Sequence, residues 1–494
     1  MPQLWEQLNH KYDERRILVA ETCAVILPHI PSALTSSLVF SMLQQLGMED
    51  KCLQVRLSAI SSLSILVLYL RQDSNKQELI SEMLKTMLQD PSQEIVQVVQ
   101  GQFLQSVLKW YLDNDFEITD LLESQLQELS TYCDLMEDLE ETDNSKIIQK
   151  IKTVTKVFPF MIATLIKTMP NSDKIDIPEH DNELLKMILE GHTDNNLSDL
   201  KAMFQKEWYE SWKSLEWFKT TWIIIVIQSL AKVPGPTDKL IIEAFEELFD
   251  THVNYLGNQF VRDHISPKFK QYLPPPMLDT QPEFSVQEVQ TYQSCLVPVY
   301  VQGVLAKVDP PTDLADKIQD LAIAYCTNPA LNSWPISTSI QSIISQNLDP
   351  GYRDAIAEMA WTLLVHPASG VKIMASLTLQ YLAENQGLAD LDLVGHKILP
   401  GLVTLSSDPD PQVRSSALTG LAQVIVASKS SMETREKAAF QLVSFISQDH
   451  EQNILVQKSA IEAIGQIVIK DTCPHKLRDD LFLPKLSDFI NGQR

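Results

Sequence analysis

Glycine is scarce in this chain, 14 of 494 residues, less than half of the roughly 7 % usual in globular proteins. Few glycines mean few tight turns and few points where backbone can approach a phosphate, which disfavours Gly-rich nucleotide loops and an all-β sandwich. Positive charge is also short, with 40 Lys and Arg against 64 Asp and Glu and a formal charge of −24. Such a field repels polyanions, so nonspecific nucleic-acid binding and a broad basic membrane-binding face are excluded. No charged-then-apolar leader opens the sequence. Its longest apolar stretches, Leu57 to Leu70 with serines in it and Trp222 to Ile227, fall short of the ~20 residues of a bilayer span. The cysteines, at 23, 52, 133, 295, 326 and 473, form no CxxC spacing and read as small apolar residues in a reducing compartment. The expectation is a soluble, cytoplasmic protein with no transmembrane segment and no nucleic-acid partner.

The motifs of catalysis are missing as well. No GxSxG elbow, GxxxxGK[ST] loop, GxGxxG turn or HExxH pair occurs. The histidines are scattered, and Cys473-Pro474-His475 lacks the second pair a zinc site needs. This reading expects no enzyme, no cofactor and no metal.

What the sequence has is a repeat. Asp50, Val55, Arg56, Ala59 and Leu63 stand at offsets of 5, 6, 9 and 13 from the acid. Asp90, Ile95, Val99 and Phe103 follow 40 residues on, and His366, Val371, Lys372, Ala375 and Leu379 repeat the spacing, with His for the acid and Lys for Arg. Asp408, Val413, Arg414, Ala417 and Leu421 come 42 residues later, then Val456, Ala460 and Ile464 with Asp449 displaced by two; Arg15, Arg16, Val19 and Cys23 form a degenerate first copy. Apolar residues four apart share one helical face, the small residue between them admits a close neighbour, and an acid suits a helix start. Before each copy lies another amphipathic segment, such as Ile80, Met83, Leu84 and Met87 ahead of Asp90-Pro91. A helix pair every 40 to 43 residues is the period of a HEAT-type array, whose units bury their faces only by stacking. The fold class expected is all-α, a HEAT/armadillo-like helical-repeat solenoid. The spacing further predicts that Arg56 meets Asp50 or Asp90, and Arg414 meets Asp408 or Asp449, across an inter-helix turn, rather than forming an exposed binding patch.

Between about residues 103 and 350 the period blurs. Asp134, Glu137, Asp138, Glu140, Glu141 and Asp143 make an acidic run that reads as a solvated face. Met169 to Asn196 and Gln271 to Pro282 read as polar connections. Between them, Trp208, Tyr209, Trp212, Trp217, Phe218 and Trp222 form an aromatic cluster that reads as core because Ile223 to Ile227 continues it. The division expected is 1–168 for N-terminal HEAT-type repeats, 169–282 for a divergent helical middle with a Trp-rich helix, and 283–494 for C-terminal HEAT-type repeats. A degenerate first copy and a last one without an evident polar cap predict exposed apolar ends and self-association.

Several islands carry a resemblance: Glu14-Arg15-Arg16, Leu18 to Cys23, Ser36 to Val39, Ser41 to Gln45, Met48 to Lys51, Trp212 with Ser214-Leu215 and Trp217, Val297-Pro298 with Tyr300, and Leu402 to Pro409. In that order they resemble the HEAT region of the RELCH family, without the LisH domain and coiled coil that precede it there, as expected of a fragment, short isoform or diverged homologue. The resemblance implies a tether rather than an enzyme. Its partners would be the GTP form of a recycling-endosome Rab GTPase and oxysterol-binding protein, and its role the promotion of nonvesicular cholesterol transfer. It would sit in the cytoplasm, peripheral to recycling endosomes and the trans-Golgi network. The alternative is a generic HEAT scaffold of the nuclear-transport or phosphatase-regulatory type.

Overall fold

The computed structural model describes residues 2–70, 74–138, 144–168, 213–236, 239–275, 284–346, 350–385, 393–427, 431–446, 451, 453–470 and 473–492. It is all-α, a helical-repeat array of HEAT type, and no strand occurs among the described residues. The chain forms two compact units: residues 1–233 with 238–268, and residues 234–237 with 269–494.

In the first unit, helix α1 (Asp13–Ile26) packs on α3 (Leu53–Val67), with α2 (Phe40–Glu49) paired to α3. The same pairing continues with α4 (Ser74–Leu88) and α5 (Gln93–Val98), and α5 runs through a wide π-type turn, Val99–Phe103, into α6 (Leu104–Asp113). Helices α7 (Ile118–Asp138), α8 (Asn144–Thr155), α9 (Phe158–Lys167), α10 (Ile223–Ala231) and α11 (Lys239–Phe260) complete it. The α11 segment is broken at Gly257, whose φ of 85° is a backbone setting that only glycine adopts readily.

In the second unit α12 (Pro311–Thr327) and α13 (Trp334–Ser345) precede α14 (Pro350–Leu364) and α15 (Ser369–Glu384). They are followed by α16 (Leu399–Ser406), α17 (Pro411–Val426), α18 (Met432–Ser444), α19 (Ile454–Ile469) and α20 (Leu483–Gly492). Helices α15, α17 and α19 stack side by side, with α14 packed on α15 and α16 and α18 packed on α17.

The stacking explains the repeat's spacing. Val55, Ala59, Leu63, Val99, Phe103, Val371, Ala375, Leu379, Val413, Ala417, Leu421, Val456, Ala460 and Ile464 all have 0 % exposure. Each large apolar side chain so buried contributes about 1.5 to 3 kcal/mol. The small residues set the spacing between helices. Gly420 on α17 lies so close to α16 that a Cβ there would stand 2.5 Å from Leu402 Cδ2.

Exposed apolar side chains are spread along the chain, among them Leu18 and Val25 on α1, Val286, Val365, Phe440, Ile454, Ile469 and Ile490. All six cysteines are free thiols. No described helix is long and apolar enough to cross a membrane.

Candidate functional site

The recurring acid and base are brought together by the turns that open α1, α3, α5, α15, α17 and α19. Arg16 holds Asp50 by two contacts, Nε to Oδ2 at 2.6 Å and Nη2 to Oδ1 at 2.9 Å. Arg56 Nη2 reaches Asp90 Oδ1 at 3.2 Å, and Lys372 Nζ reaches Asp408 Oδ2 at 2.6 Å. Arg414 holds Glu451, Nε to Oε2 at 2.9 Å and Nη2 to Oε1 at 3.1 Å. In every rung the base takes the acid of the following turn, 34 to 37 residues on.

The geometry has a single local cause. The acid precedes its helix, where its carboxylate accepts the backbone N–H two residues later: Cys52 on Asp50 at 2.8 Å, Ser92 on Asp90 at 2.9 Å, Asp410 on Asp408 at 2.9 Å and Asn453 on Glu451 at 2.8 Å. Those amides belong to the helix start, whose free donors need partners. Six residues after the acid, the arginine donates Nη1 back to the carbonyl of its own turn, Arg56 to Asp50 at 3.0 Å and Arg414 to Asp408 at 2.9 Å. The rest of its planar fork then points to the next turn.

One sequence expectation needs correcting here. The carboxylate taken by Arg414 is that of Glu451, whereas the spacing pointed to Asp408 or Asp449. Asp408 gives Arg414 only its carbonyl and is held by Lys372 instead, and Asp449 lies outside the described residues. Glu451 stands five residues before Val456, the offset that separates Asp50 from Val55, so the signal was present under a different residue type. His10 was missed in the same way, six residues before Arg16.

The rungs are shielded. Asp50 and Glu451 side chains are 7 % and 8 % exposed, and Arg16 and Arg414 are 13 % and 16 % exposed. Burial disfavours the Asp50 carboxylate, but the Arg16 hydrogen bond, the Cys52 amide and the charges of Arg16 and Arg56 outweigh it and hold its pKa below the usual value. The Asp50 bond correspondingly raises Arg16. Side chains so engaged are joints between repeats, not a free patch.

Beside the first rung a cleft of about 420 Å³ is lined by Asn9, His10, Lys11, Gln45, Glu49 and Lys51, with Arg16 and Asp50 against it. Its cationic and anionic groups nearly cancel.

The aromatic cluster is interior where it is described. Trp222 and Phe218 stack at 4.9 Å, Phe158 meets Trp222 edge-on at 5.5 Å, and His252 lies 5.0 Å from Trp222. His252 donates Nδ1–H to the Leu248 carbonyl at 2.6 Å, and complete burial lowers its pKa to about 4. Trp217 is nearer the surface and donates to Glu123 at 2.8 Å. Trp208, Tyr209 and Trp212 lie outside the described residues. Of the acidic run, Asp134 pairs with Lys232 at 2.5 Å. Among the described residues no group of three or more His, Cys, Asp or Glu is placed to hold a metal.

Comparison with known proteins gives the context. The family profile described as RAB11-binding protein RELCH N-terminal domain matches residues 1–176, and that described as RAB11-binding protein RELCH C-terminal domain matches residues 293–492. The RAB11-binding protein RELCH homolog of Xenopus tropicalis is 26 % identical over 516 residues, covering 100 % of this chain and 42 % of that protein. The RAB11-binding protein RELCH of Homo sapiens is 26 % identical over 510 residues, covering 98 % and 40 % respectively. The chain thus spans about two fifths of the length of these relatives. The crystal structure of Kap121p bound to Ste12p superposes with a TM-score of 0.37 and 14 % identity, over 98 % of this chain and 47 % of that one.

Proposed function

Because the chain belongs to the RELCH family, we propose that it is a non-catalytic scaffold that binds a Rab GTPase of the RAB11 type in its GTP form. The observation that carries this reading is the match to both family domains, in order, over residues 1–176 and 293–492. The joints support it physically. Turns locked to one another by buried ion pairs keep each unit's surface preorganised, and a preorganised surface loses little entropy on binding. The triphosphate orders GTPase switch loops into a surface that such an array can read.

In the same proposal the protein works at the cytoplasmic periphery of recycling endosomes and the trans-Golgi network, with oxysterol-binding protein as a second partner in nonvesicular cholesterol transfer. We assign the Rab contact to exposed apolar residues of two helices that pack together, Leu18 and Val25 on α1 with Ile65, Leu68 and Tyr69 at the end of α3.

The test is a pull-down of the purified chain with the Rab loaded with GTP analogue or GDP. Preferential capture of the GTP form, lost in Val25→Asp with Ile65→Asp, is the expected result. Equal capture of both forms would remove the effector reading, and no capture of either would place the Rab site outside this chain.

A further inference from the structure

Two histidines occupy the position that aspartate or glutamate holds elsewhere in the ladder. His10 Nδ1 accepts the Tyr12 backbone N–H at 3.1 Å, and His366 Nδ1 accepts the Ala368 backbone N–H at 3.1 Å. Both bonds span two residues, as do those of Asp50, Asp90, Asp408 and Glu451. Each histidine opens its run of rungs, and six residues after it stands the base, Arg16 or Lys372, that grips the next acid.

The substitution changes the chemistry. A carboxylate accepts this amide at any pH above its own ionisation. An imidazole accepts through Nδ1 only while neutral, because protonation turns Nδ1 into a second donor facing the N–H. We propose that His10 and His366 make the opening turns before α1 and α15 acid-sensitive joints, closed while the rings are neutral and released when they are protonated.

The surroundings favour release. Around His366, the cation is Lys372 on its own helix, already engaged by Asp408. The next turn adds Asp410, which is bound to Ser369 and the Gln412 amide. From α12 the Cys326 carbonyl comes against Gly370, and Asp354 and Glu358 of α14 are turned to Lys397. Around His10 stand Lys11, Arg15 and Arg16. Asp13 and Asp50 are occupied by Arg16, and Glu49 and Lys51 line the adjoining cleft. For both rings desolvation and then the neighbouring cations hold the pKa below the ordinary histidine value. The stabilisation is therefore complete above about pH 6.5 and is lost as pH falls from there through the lowered folded value.

Amide hydrogen exchange on the 494-residue chain, corrected for intrinsic rates and compared between about pH 7.5 and about pH 5, reads each joint directly. Protection of the Tyr12 and Ala368 amides should fall roughly fivefold, the size of one lost helix cap. In His366→Asp the Ala368 amide should keep its protection while Tyr12 still loses it. Constant protection in the wild type, or an equal loss at Ala368 in His366→Asp, would overturn the proposal. Ring 15N shifts of the wild type give an independent reading. Both rings should carry their neutral proton on Nε2, and a proton on Nδ1 would refute the joint.

Discussion

Arg414 and Glu451 are joined by two parallel hydrogen bonds of 2.9 and 3.1 Å across 37 residues of sequence. Glu451 also accepts the Asn453 amide at 2.8 Å, and Arg414 donates to the Asp408 carbonyl at 2.9 Å. One side-chain pair thus ties together the two turns that open α17 and α19.

Removing one partner leaves the other charge buried. Arg414→Ala should cost roughly 3 kcal/mol or more, read as a lower urea midpoint. Lys437→Ala, which breaks an exposed pair with Glu433 on α18, should cost no more than about 0.5 kcal/mol. Similar losses for the two variants would mean the rung is no stronger than a surface pair.

Ala417 is fully buried on α17. Ala417→Trp forces apart helices already in contact and should destabilise by roughly 1 to 3 kcal/mol or more. Gly420→Ala tests a close approach on the same helix, against Leu402 of α16. Thermal melts measure both, and an unchanged melting temperature in both would show the interface to be loose.

The pKa of His252 is lowered to about 4 by complete burial, against about 6.5 unfolded. The unfolded chain then binds more protons between these values, so stability falls as pH drops from about 6.5 to about 4, by roughly 3 kcal/mol. His252→Leu should flatten that part of the stability profile measured by urea unfolding. An equally steep profile in the variant would assign the acid sensitivity elsewhere.

Gly257 has a φ of 85°. Gly257→Ala should cost roughly 1 to 3 kcal/mol from backbone strain, whereas Gly395→Ala, where a Cβ would meet nothing within 4 Å, tests an open position. Equal melting temperatures for the two variants would contradict the left-handed setting at Gly257.

The fold was legible because its signal is local. Val55, Ala59 and Leu63 share one helical face, and the same offsets return at Val413, Ala417 and Leu421. Any helix so patterned must bury that face. The break at Gly257 and the wide turn at Val99–Phe103 had no such signal, since each depends on how neighbouring helices compete for the same space.

The ladder divides differently. Spacing determined that Asp50 and Asp408 would open a helix with Arg56 and Arg414 six residues on, because both requirements arise at the start of one helix. Which acid each base would hold was decided by the stack. A fork anchored on its own turn's carbonyl has its remaining donors aimed at the next repeat, so Arg414 finds Glu451 and Lys372 finds Asp408. That pairing depends on the distance and angle between successive repeats, and those are set by buried contacts such as Gly401 of α16 against Leu379 of α15, on side chains other than the charged ones.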